Sequence, residues 1–183
     1  MAAKPNLSLL FLLALMPMVV VMAQQNRRQQ NLTHIHFYVH DTLSGPNPTT
    51  VRVVEGPMKL LETNLNFGDI FVFDDPLTEG PNPTSKLLGR AYGSYIFASQ
   101  STTKPMLLLT VNIVLMDGQY DGSTFSIVAS DASFVQVVEM PIVGGTGRFR
   151  MARGYAHSKT YWYNTTTYDG IYEVDAYLLH FVI

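Results

Sequence analysis

The sequence contains no cysteine. Disulfide bonds, thiolate metal ligands and cysteine nucleophiles are therefore excluded. The fold must instead be held by burial of apolar surface, by closure of a sheet or by association of subunits. The chain is also short of charge, since Asp, Glu, Lys and Arg make up 14% of its residues and the formal net charge is −2. This balance gives no electrostatic basis for binding nucleic acid or an anionic membrane surface.

Motifs of the common enzyme classes are missing as well. The chain has no Gly-x-Ser-x-Gly elbow, no phosphate-binding loop and no dinucleotide fingerprint. The segment Gly144–Gly147 is rich in glycine, but no helical pattern follows it. It therefore lacks the helix N-terminus on which phosphate groups bind. We expect a protein that works without a bound cofactor.

The N-terminal segment has the features of a signal peptide. A lysine precedes the apolar run Leu7–Met22, and short side chains precede a cleavage site after Ala23. The run is too short and too interrupted for a membrane span, although an uncleaved anchor is the alternative. We predict a signal peptide over residues 1–23, a flexible tail over 24–33 and one secreted domain over 34–183. No other long apolar run suggests a membrane-bound mature chain.

Strand patterns dominate the rest of the sequence. Residues His34–His40 alternate strictly, and further runs rich in aromatic and β-branched residues follow, whereas helical periodicity is nearly absent. About eight such runs without intervening helices predict an all-β barrel or sandwich. Long hydrophobic strands with open edges would aggregate, so a closed antiparallel barrel is favoured.

Turn signals separate the predicted strands. The dipeptides Asp121-Gly122 and Asp169-Gly170 stand between apolar runs and predict two-residue hairpin turns. The segment Asp74–Pro76 follows another apolar run and predicts a turn that ends that strand.

Two aspartates occupy positions from which they could act as acids or bases. Asp41 follows the apolar residues of the first strand at alternate positions, and Asp131 follows those of a later strand in the same way. If these faces point inward, both carboxyl groups share one pocket mouth, and apolar neighbours raise their pKa. Such groups exchange protons near neutral pH. The alternative is that each aspartate caps the backbone of its own turn.

Three histidines share the other face of the first strand. The spacing of His34, His36 and His40 is one in which two imidazoles can bind zinc. Because that face is opposite the apolar one and also carries Tyr38, we favour an exposed or interface stripe over a metal site.

Two Asn-x-Thr sequons follow the predicted signal peptide, at Asn31 and Asn164. Asn164 lies in a polar stretch, where a glycan would stay exposed. We predict glycosylation there, and an unused sequon is the alternative.

Five segments resemble the plant dirigent protein family, over about residue 34 to the C-terminus. They are Phe37–Gly45, Phe67-Gly68 together with Asp74–Thr78, Ser85–Ala91, Tyr120–Thr124 and Glu139–Ala156. The resemblance implies an eight-stranded antiparallel up-and-down barrel, of the lipocalin or allene-oxide-cyclase kind, that assembles as a trimer in the apoplast. It also implies that Asp41 and Asp131 are pocket aspartates and that Tyr95 and Phe97 are pocket aromatics.

The same resemblance implies a role in phenylpropanoid chemistry, including lignan biosynthesis. Family members direct the coupling of two phenoxy radicals, typically from coniferyl alcohol, which a separate laccase or peroxidase generates. Some relatives instead close a ring on a quinone methide with loss of water, as in pterocarpan synthesis. A carrier of small apolar metabolites is the alternative outside this chemistry. Family members often carry Arg where this chain has Val138, which removes a cation from the pocket.

Overall fold

The structure is a computed structural model that describes residues 29–60, 64–102, 104–132 and 136–181, without the side chains of Asp131 and Ala132. These residues form eleven β-strands and two short 3₁₀ turns. The strands are β1 (Gln30–Asp41), β2 (Thr50–Val54), β3 (Met58–Leu60), β4 (Leu65–Phe67), β5 (Ile70–Thr78), β6 (Leu87–Phe97), β7 (Met106–Leu115), β8 (Thr124–Ala132), β9 (Val137–Thr146), β10 (Arg153–Tyr163) and β11 (Gly170–Phe181). Across this part of the chain, no helix is long and apolar enough to span a membrane. The predicted signal peptide lies outside the described residues.

Eight of these strands form one closed antiparallel barrel, as predicted. Their order is β1-β11-β10-β9-β8-β7-β6-β5, and the ring closes where β5 pairs with β1. The pairing of β1 with β11 covers all twelve residues of β1, whereas the closing contact joins only Tyr38 to Thr78 and Val39 to Leu77. Strand β2 extends the sheet beside β5, and β3 and β4 form a separate hairpin.

Alternation along each strand decides which side chains fill the barrel. In β11, Val174, Ala176 and Leu178 are buried, and the residues between them are more exposed. This period of two is the one that places successive side chains on opposite faces of a sheet. The alternation in the sequence therefore determines which side chains fill the barrel interior.

An apolar plug closes one end of the barrel. It consists of Phe125, Phe149, Tyr120 and His180, whose rings meet at Phe149 with centroid separations of 4.9–6.0 Å. Thr33, near the start of β1, bonds to the Nε2 atom of His180 at 2.9 Å. The far end of β1 lies about 26 Å away by strand geometry. The plug therefore does not reach the end of the barrel where β1 ends.

The start of β1 corrects the predicted domain boundary. The strand begins at Gln30, so residues 30–33 belong to the barrel wall and not to a flexible tail. The reason is that β11 is long enough to pair with all of them, as far as Phe181.

Both predicted two-residue turns are wrong. Gly122 has a φ of 72°, but it lies in a longer connection that includes the 3₁₀ turn Gly118–Tyr120. Gly170 already pairs with Tyr163 as part of β11, and the positive φ of that loop falls on Tyr168. In both places the Asp-Gly pair ends a loop and does not form it alone.

The predicted turn at Asp74–Pro76 is also wrong, because these residues lie within β5. Strand β6 pairs with β5 along its length, but the other edge of β5 changes partner. Strand β2 pairs with residues 70–73 and β1 with residues 77–78. Pro76 falls in the gap between those partners, where the lack of an N–H group breaks no strand pairing.

Close approach of β6 to β7 requires glycine at position 93. A Cβ atom there would lie 1.9 Å from the Thr110 carbonyl oxygen, which is backbone and cannot move aside cheaply. We expect Gly93→Ala to lower the free energy of unfolding by about 3 kcal/mol, measured by denaturant titration. Gly144→Ala is the matched control, because its Cβ would have no neighbour within 4 Å. Equal stability of the two variants would contradict the requirement for glycine where β6 approaches β7.

Candidate ligand cavity

A cavity of about 180 Å³ occupies the end of the barrel opposite the plug. In this measure one water molecule needs about 10–15 Å³, so the cavity has room for a ligand with more than one ring. The lining residues are mostly apolar or aromatic: Phe37, Val39, Asp41, Leu43, Leu65, Phe71, Phe73, Asp75, Ala91, Tyr95, Phe97, Leu109, Val111, Ile113, Ile127, Met140, Ser158, Tyr163, Tyr168, Tyr172 and Val174. A few polar groups in an apolar wall are typical of small-molecule sites.

One side of the cavity is an aromatic wall built by β5 and β6. Tyr95 stacks on Phe71 with centroids 4.8 Å apart, and the two residues are direct cross-strand partners. Phe97 meets the same two rings edge-on at 6.1 and 6.3 Å. Both predicted pocket aromatics therefore lie on the cavity wall. Burial raises the pKa of Tyr95, and the nearby Asp41 adds to this, so its hydroxyl stays protonated and can donate a hydrogen bond.

Two carboxyl groups meet the apolar wall, and we call Asp41 and Asp75 the carboxyl pair. Asp41 ends β1, and Asp75 lies inside β5 with 3% of its surface exposed. The Oδ1 atom of each is buried without a hydrogen-bond partner among the described residues. Asp75 was missed by the sequence analysis, although it alternates with Phe71 and Phe73, which also face the cavity.

The environment of the carboxyl pair favours protonation. Burial raises the pKa of Asp75 to about 8, and the neighbouring Asp41 charge adds to the rise. Burial likewise raises the pKa of Asp41 to about 6. The Thr50 hydroxyl lies beside both groups and counters the rise in part, without a well-aligned bond to either. The pair therefore titrates as a unit and holds a proton near neutral pH.

The structure tests the predicted partner of Asp41 only in part. Asp131 lies in β8 and pairs with Leu107 of β7, but its side chain is outside what the structure describes. A role for Asp131 remains a prediction. The alternative in which Asp41 caps its own turn is wrong, because the amides of Leu43 and Ser44 donate to Asp169.

Asp169 ties two loops together at the cavity mouth. Its Oδ1 atom accepts hydrogen bonds from the amides of Leu43 and Ser44 at 2.8 and 3.0 Å, and its Oδ2 atom accepts from the hydroxyls of Ser44 and Thr167. Burial opposes the charge, but these bonds prevail and lower the pKa of Asp169, so it stays ionised. Leu43 and Tyr168, which line the cavity, are held in place by this arrangement.

A buried carboxylate fixes the hairpin of β3 and β4, which we call the lid hairpin, beside the mouth. Asp69 is fully buried and accepts bonds from the amides of Gly56 and Asn66 at 2.8 and 2.7 Å, and from the guanidinium of Arg52. The lid hairpin thereby places Leu65 on the cavity wall. Leu65 also packs on a small second core that includes Phe71 and Phe97.

The predicted histidine stripe is correct for two of its three members. His34 and His36 both bond to Oδ1 of Asp175 on the outer face, at 2.7 and 3.0 Å. His40 is instead buried, with its Nε2 atom 2.6 Å from the Thr78 hydroxyl. Within the described ranges, no group of three or more candidate metal ligands is assembled.

The sequons lie in different settings. Asn31 is exposed within β1 and pairs with His180 of β11. Asn164 opens the loop between β10 and β11, and its side-chain oxygen accepts bonds from the amides of Thr166 and Thr167. Glycosylation of either remains a prediction.

Comparisons with known proteins agree with this geometry. A family model described as "Dirigent-like protein" matches residues 32–179. "Dirigent protein 1" of Arabidopsis thaliana is 43% identical over 157 residues, which cover 85% of this chain and 83% of that protein. "Pterocarpan synthase 1" of Glycyrrhiza echinata is 43% identical over 155 residues, 84% of this chain and 81% of that protein. A solved structure of a pterocarpan synthase dirigent protein superposes with a TM-score of 0.79 at 41% identity, covering 87% of this chain and 96% of that one.

Proposed function

This chain belongs to the dirigent protein family, and we propose that it closes a ring on a phenolic substrate by loss of water through a quinone methide. The observation that carries the proposal is the carboxyl pair, which holds a proton inside an aromatic cavity. A fast coupling of radicals needs orientation alone, whereas departure of a hydroxyl group needs an acid. Of the two relatives at 43% identity, one is named a dirigent protein and the other a pterocarpan synthase. The protonated carboxyl pair supports the second of these two activities.

The first half of the reaction uses both members of the pair. The substrate is a phenol whose hydroxyl is conjugated with a benzylic alcohol. Asp75, which keeps its proton to the higher pH, donates it to the benzylic hydroxyl. The carbon–oxygen bond breaks, water leaves, and Asp41 in its ionised form accepts the phenol proton. The product is a neutral quinone methide, and the pair has moved one proton from Asp75 to Asp41.

The second half returns the protons. A second hydroxyl of the same molecule adds to the benzylic carbon and gives its proton to the carboxylate of Asp75. The quinone methide oxygen takes the proton from Asp41 and becomes a phenol again. Atoms balance with loss of one water, and the sequence of steps is redox-neutral. Tyr95 can donate a hydrogen bond to the same oxygen, because its hydroxyl remains protonated.

Directed coupling of phenoxy radicals is the second candidate function. It is favoured by the aromatic wall of Phe71, Tyr95 and Phe97, on which planar guests can stack. A separate laccase or peroxidase would supply the radicals. Selection of one product face then needs only about 1.4 kcal/mol for a tenfold excess.

One experiment separates the functions. An isoflavanol with a hydroxyl placed for ring closure is incubated with the protein in the absence of an oxidant, and coniferyl alcohol is incubated with a laccase, with and without the protein. Chiral chromatography reads both products. We expect a cyclised product one water lighter in the first assay. Selectivity only in the second assay would support radical coupling instead. Binding without either activity would support the carrier.

Assembly as a trimer is also proposed, from the outer surface of the barrel. Val72, Tyr92, Leu108 and Val128 lie on the adjacent strands β5 to β8, and each is 40–44% exposed. Exposed apolar side chains on adjacent strands are typical of a subunit contact. We expect Leu108→Glu to convert a trimer to monomers in light-scattering chromatography while the circular dichroism spectrum is kept. Leu32→Glu is the control, since Leu32 is exposed on β1, away from this face. A monomeric unaltered protein at micromolar concentration would refute the assembly.

Export to the apoplast is the last part of the proposal. It is supported by the sequence of residues 1–23 and by the two sequons. Mass spectrometry of the protein secreted from plant cells should show an N-terminus at Gln24 and a glycan on Asn164. An intact N-terminal segment would refute cleavage, and a fully unmodified peptide containing Asn164 would refute glycosylation.

A further inference from the structure

The described residues of the cavity wall include two acidic groups and no basic group. Among the wall residues that the structure describes, none is Lys, Arg or His, whereas two are aspartates. The internal gaps 61–63, 103 and 133–135 hold no basic residue in the sequence either, and Glu62 falls in one of them. Among the described wall residues, the cavity therefore offers no side chain that could neutralise an anionic ligand.

Nearby basic groups are engaged elsewhere. Arg52 pairs with Asp69 beneath the lid hairpin, and Arg90 pairs with Asp74 on the outer surface. His40 follows the opposite face of β1, and burial lowers its pKa, so it is neutral at physiological pH. The Arg52 guanidinium lies 5.8 Å from the centroid of the Phe71 ring, but its charge is already paired with that of Asp69.

The carboxyl pair also presents free acceptor atoms. Asp75 is 3% exposed, and its Oδ1 atom has no hydrogen-bond partner among the described groups. The Oδ1 atom of Asp41 is in the same condition. A buried acceptor without a partner is costly, and a ligand that donates hydrogen bonds removes that cost. A ligand carboxylate can only accept, and it would add a further negative charge to that of the pair.

We propose that the cavity selects phenolic ligands by charge, so that it accepts neutral alcohols and binds phenolic amines more tightly, but excludes phenolic carboxylates. The inference rests on the proposed function, because it assumes that the guests are phenols. An ammonium group supplies donors and positive charge to the carboxyl pair, and aromatic rings around it add a favourable cation–π contact. An unexpected class of ligand, the phenylpropyl amines, is therefore predicted to occupy this site.

The selection should strengthen as pH rises, because the carboxyl pair loses protons between about pH 5 and 9. Other titratable groups face the pair from the neighbouring elements. They are Tyr95 on β6, Tyr163 on β10, Tyr168 and Asp169 on the following loop, and Tyr172 on β11, while the charge of Asp74 acts on Asp75 from the outer face of β5. Tyr95 and Tyr163 stay protonated, since burial raises the pKa of each, and Asp169 stays ionised. The change in charge is therefore that of the pair.

The test uses three closed-shell compounds of one shape. They are 3-(4-hydroxy-3-methoxyphenyl)propan-1-ol, the corresponding propan-1-amine and the corresponding propanoate. Titration calorimetry measures each dissociation constant at about pH 5.5 and 8.5, on either side of the pair's titration. At the higher pH we expect the amine to bind at least tenfold more tightly than the alcohol, and the propanoate at least tenfold more weakly. At the lower pH the advantage of the amine should shrink at least threefold, and amine binding should release protons in buffers of different ionisation enthalpy.

The double variant Asp41→Asn with Asp75→Asn should bind the amine and the alcohol with equal affinity. If that variant does not fold, the comparison of the unaltered protein at the two pH values tests the same point. Equal binding of propanoate and alcohol would overturn the inference, whatever the protein does to an isoflavanol. Charge selection without ring closure would leave the inference standing and overturn the proposed function. Failure of all three compounds to bind would overturn the inference, whereas the proposed function is decided by the isoflavanol assay.

Discussion

Asp75→Asn is expected to reduce ring closure at least a hundredfold while the barrel stays folded. General acids contribute about 10²–10⁴-fold to such steps, and an amide cannot supply the proton. The side chains are nearly equal in size, so the aromatic wall keeps its shape. Asp41→Asn should cause a similar loss, because the phenol proton then lacks its acceptor. Product formation from the isoflavanol, measured as an initial rate, reads both variants.

Asp74→Asn is the matched control for this experiment. Asp74 precedes Asp75 in β5, but it points outward and pairs with Arg90 at the surface. Surface ion pairs of this kind contribute about 0–1 kcal/mol, so both activity and stability should change little. If Asp75→Asn retains the full rate, the acid role is wrong and the shape of the cavity alone accounts for selectivity.

The second large effect is a fall in stability as pH rises. Asp75 has a folded pKa of about 8, above the usual value of an aspartate in an unfolded chain. The folded state therefore binds this proton more tightly, and the stability it contributes is complete at low pH and lost as pH rises through about 8. At about 1.4 kcal/mol for each pKa unit, the loss summed from pH 4 to 9 is roughly 5 kcal/mol. Denaturant unfolding at a series of pH values measures it.

The interval from pH 7 to 9 isolates Asp75. Asp41 changes charge near pH 6, and the lowered pKa of His40 acts in the opposite direction below about pH 6.5. Between pH 7 and 9 we expect a loss of about 1–1.5 kcal/mol in the unaltered protein, almost none in Asp75→Asn, and the full loss in Asp74→Asn. A flat profile in the unaltered protein would show that Asp75 does not gain its proton on folding.

The sequence predicts the barrel well because the pattern that indicates a strand lies within the strand itself. Alternation along each strand is a property of neighbouring residues, and it correctly directed Asp41 to the interior, whereas Tyr95 and Phe97 were predicted from the family resemblance. Asp75 alternates in the same way, yet the proline after it is typical of a turn. Only the change of partner along the edge of β5, from β2 to β1, makes a proline compatible with that strand. That change is a contact between distant segments and leaves no pattern in the sequence.

The loops follow the same division between local and distant causes. Gly122 adopts a positive φ, as an Asp-Gly pair suggests, but the length of the loop depends on where β7 and β8 stop pairing. Asp41 resembled a residue that caps its own turn, whereas the cap comes from Asp169, more than a hundred residues away. Side chains that act across the barrel mouth cannot be paired from spacing alone.

The pairing of the first strand with the last has a consequence for how the chain reaches its native state. Thr33 bonds to His180 across 147 positions of sequence, and β1 has β11 as its main partner. Loops of that length must close before their contacts contribute, so such topologies fold slowly, typically over milliseconds to seconds. During synthesis β1 emerges first and β11 last. Before β11 is synthesised, β1 lacks its main pairing partner and exposes an unpaired hydrophobic edge. During this interval the nascent chain depends most on protection from aggregation.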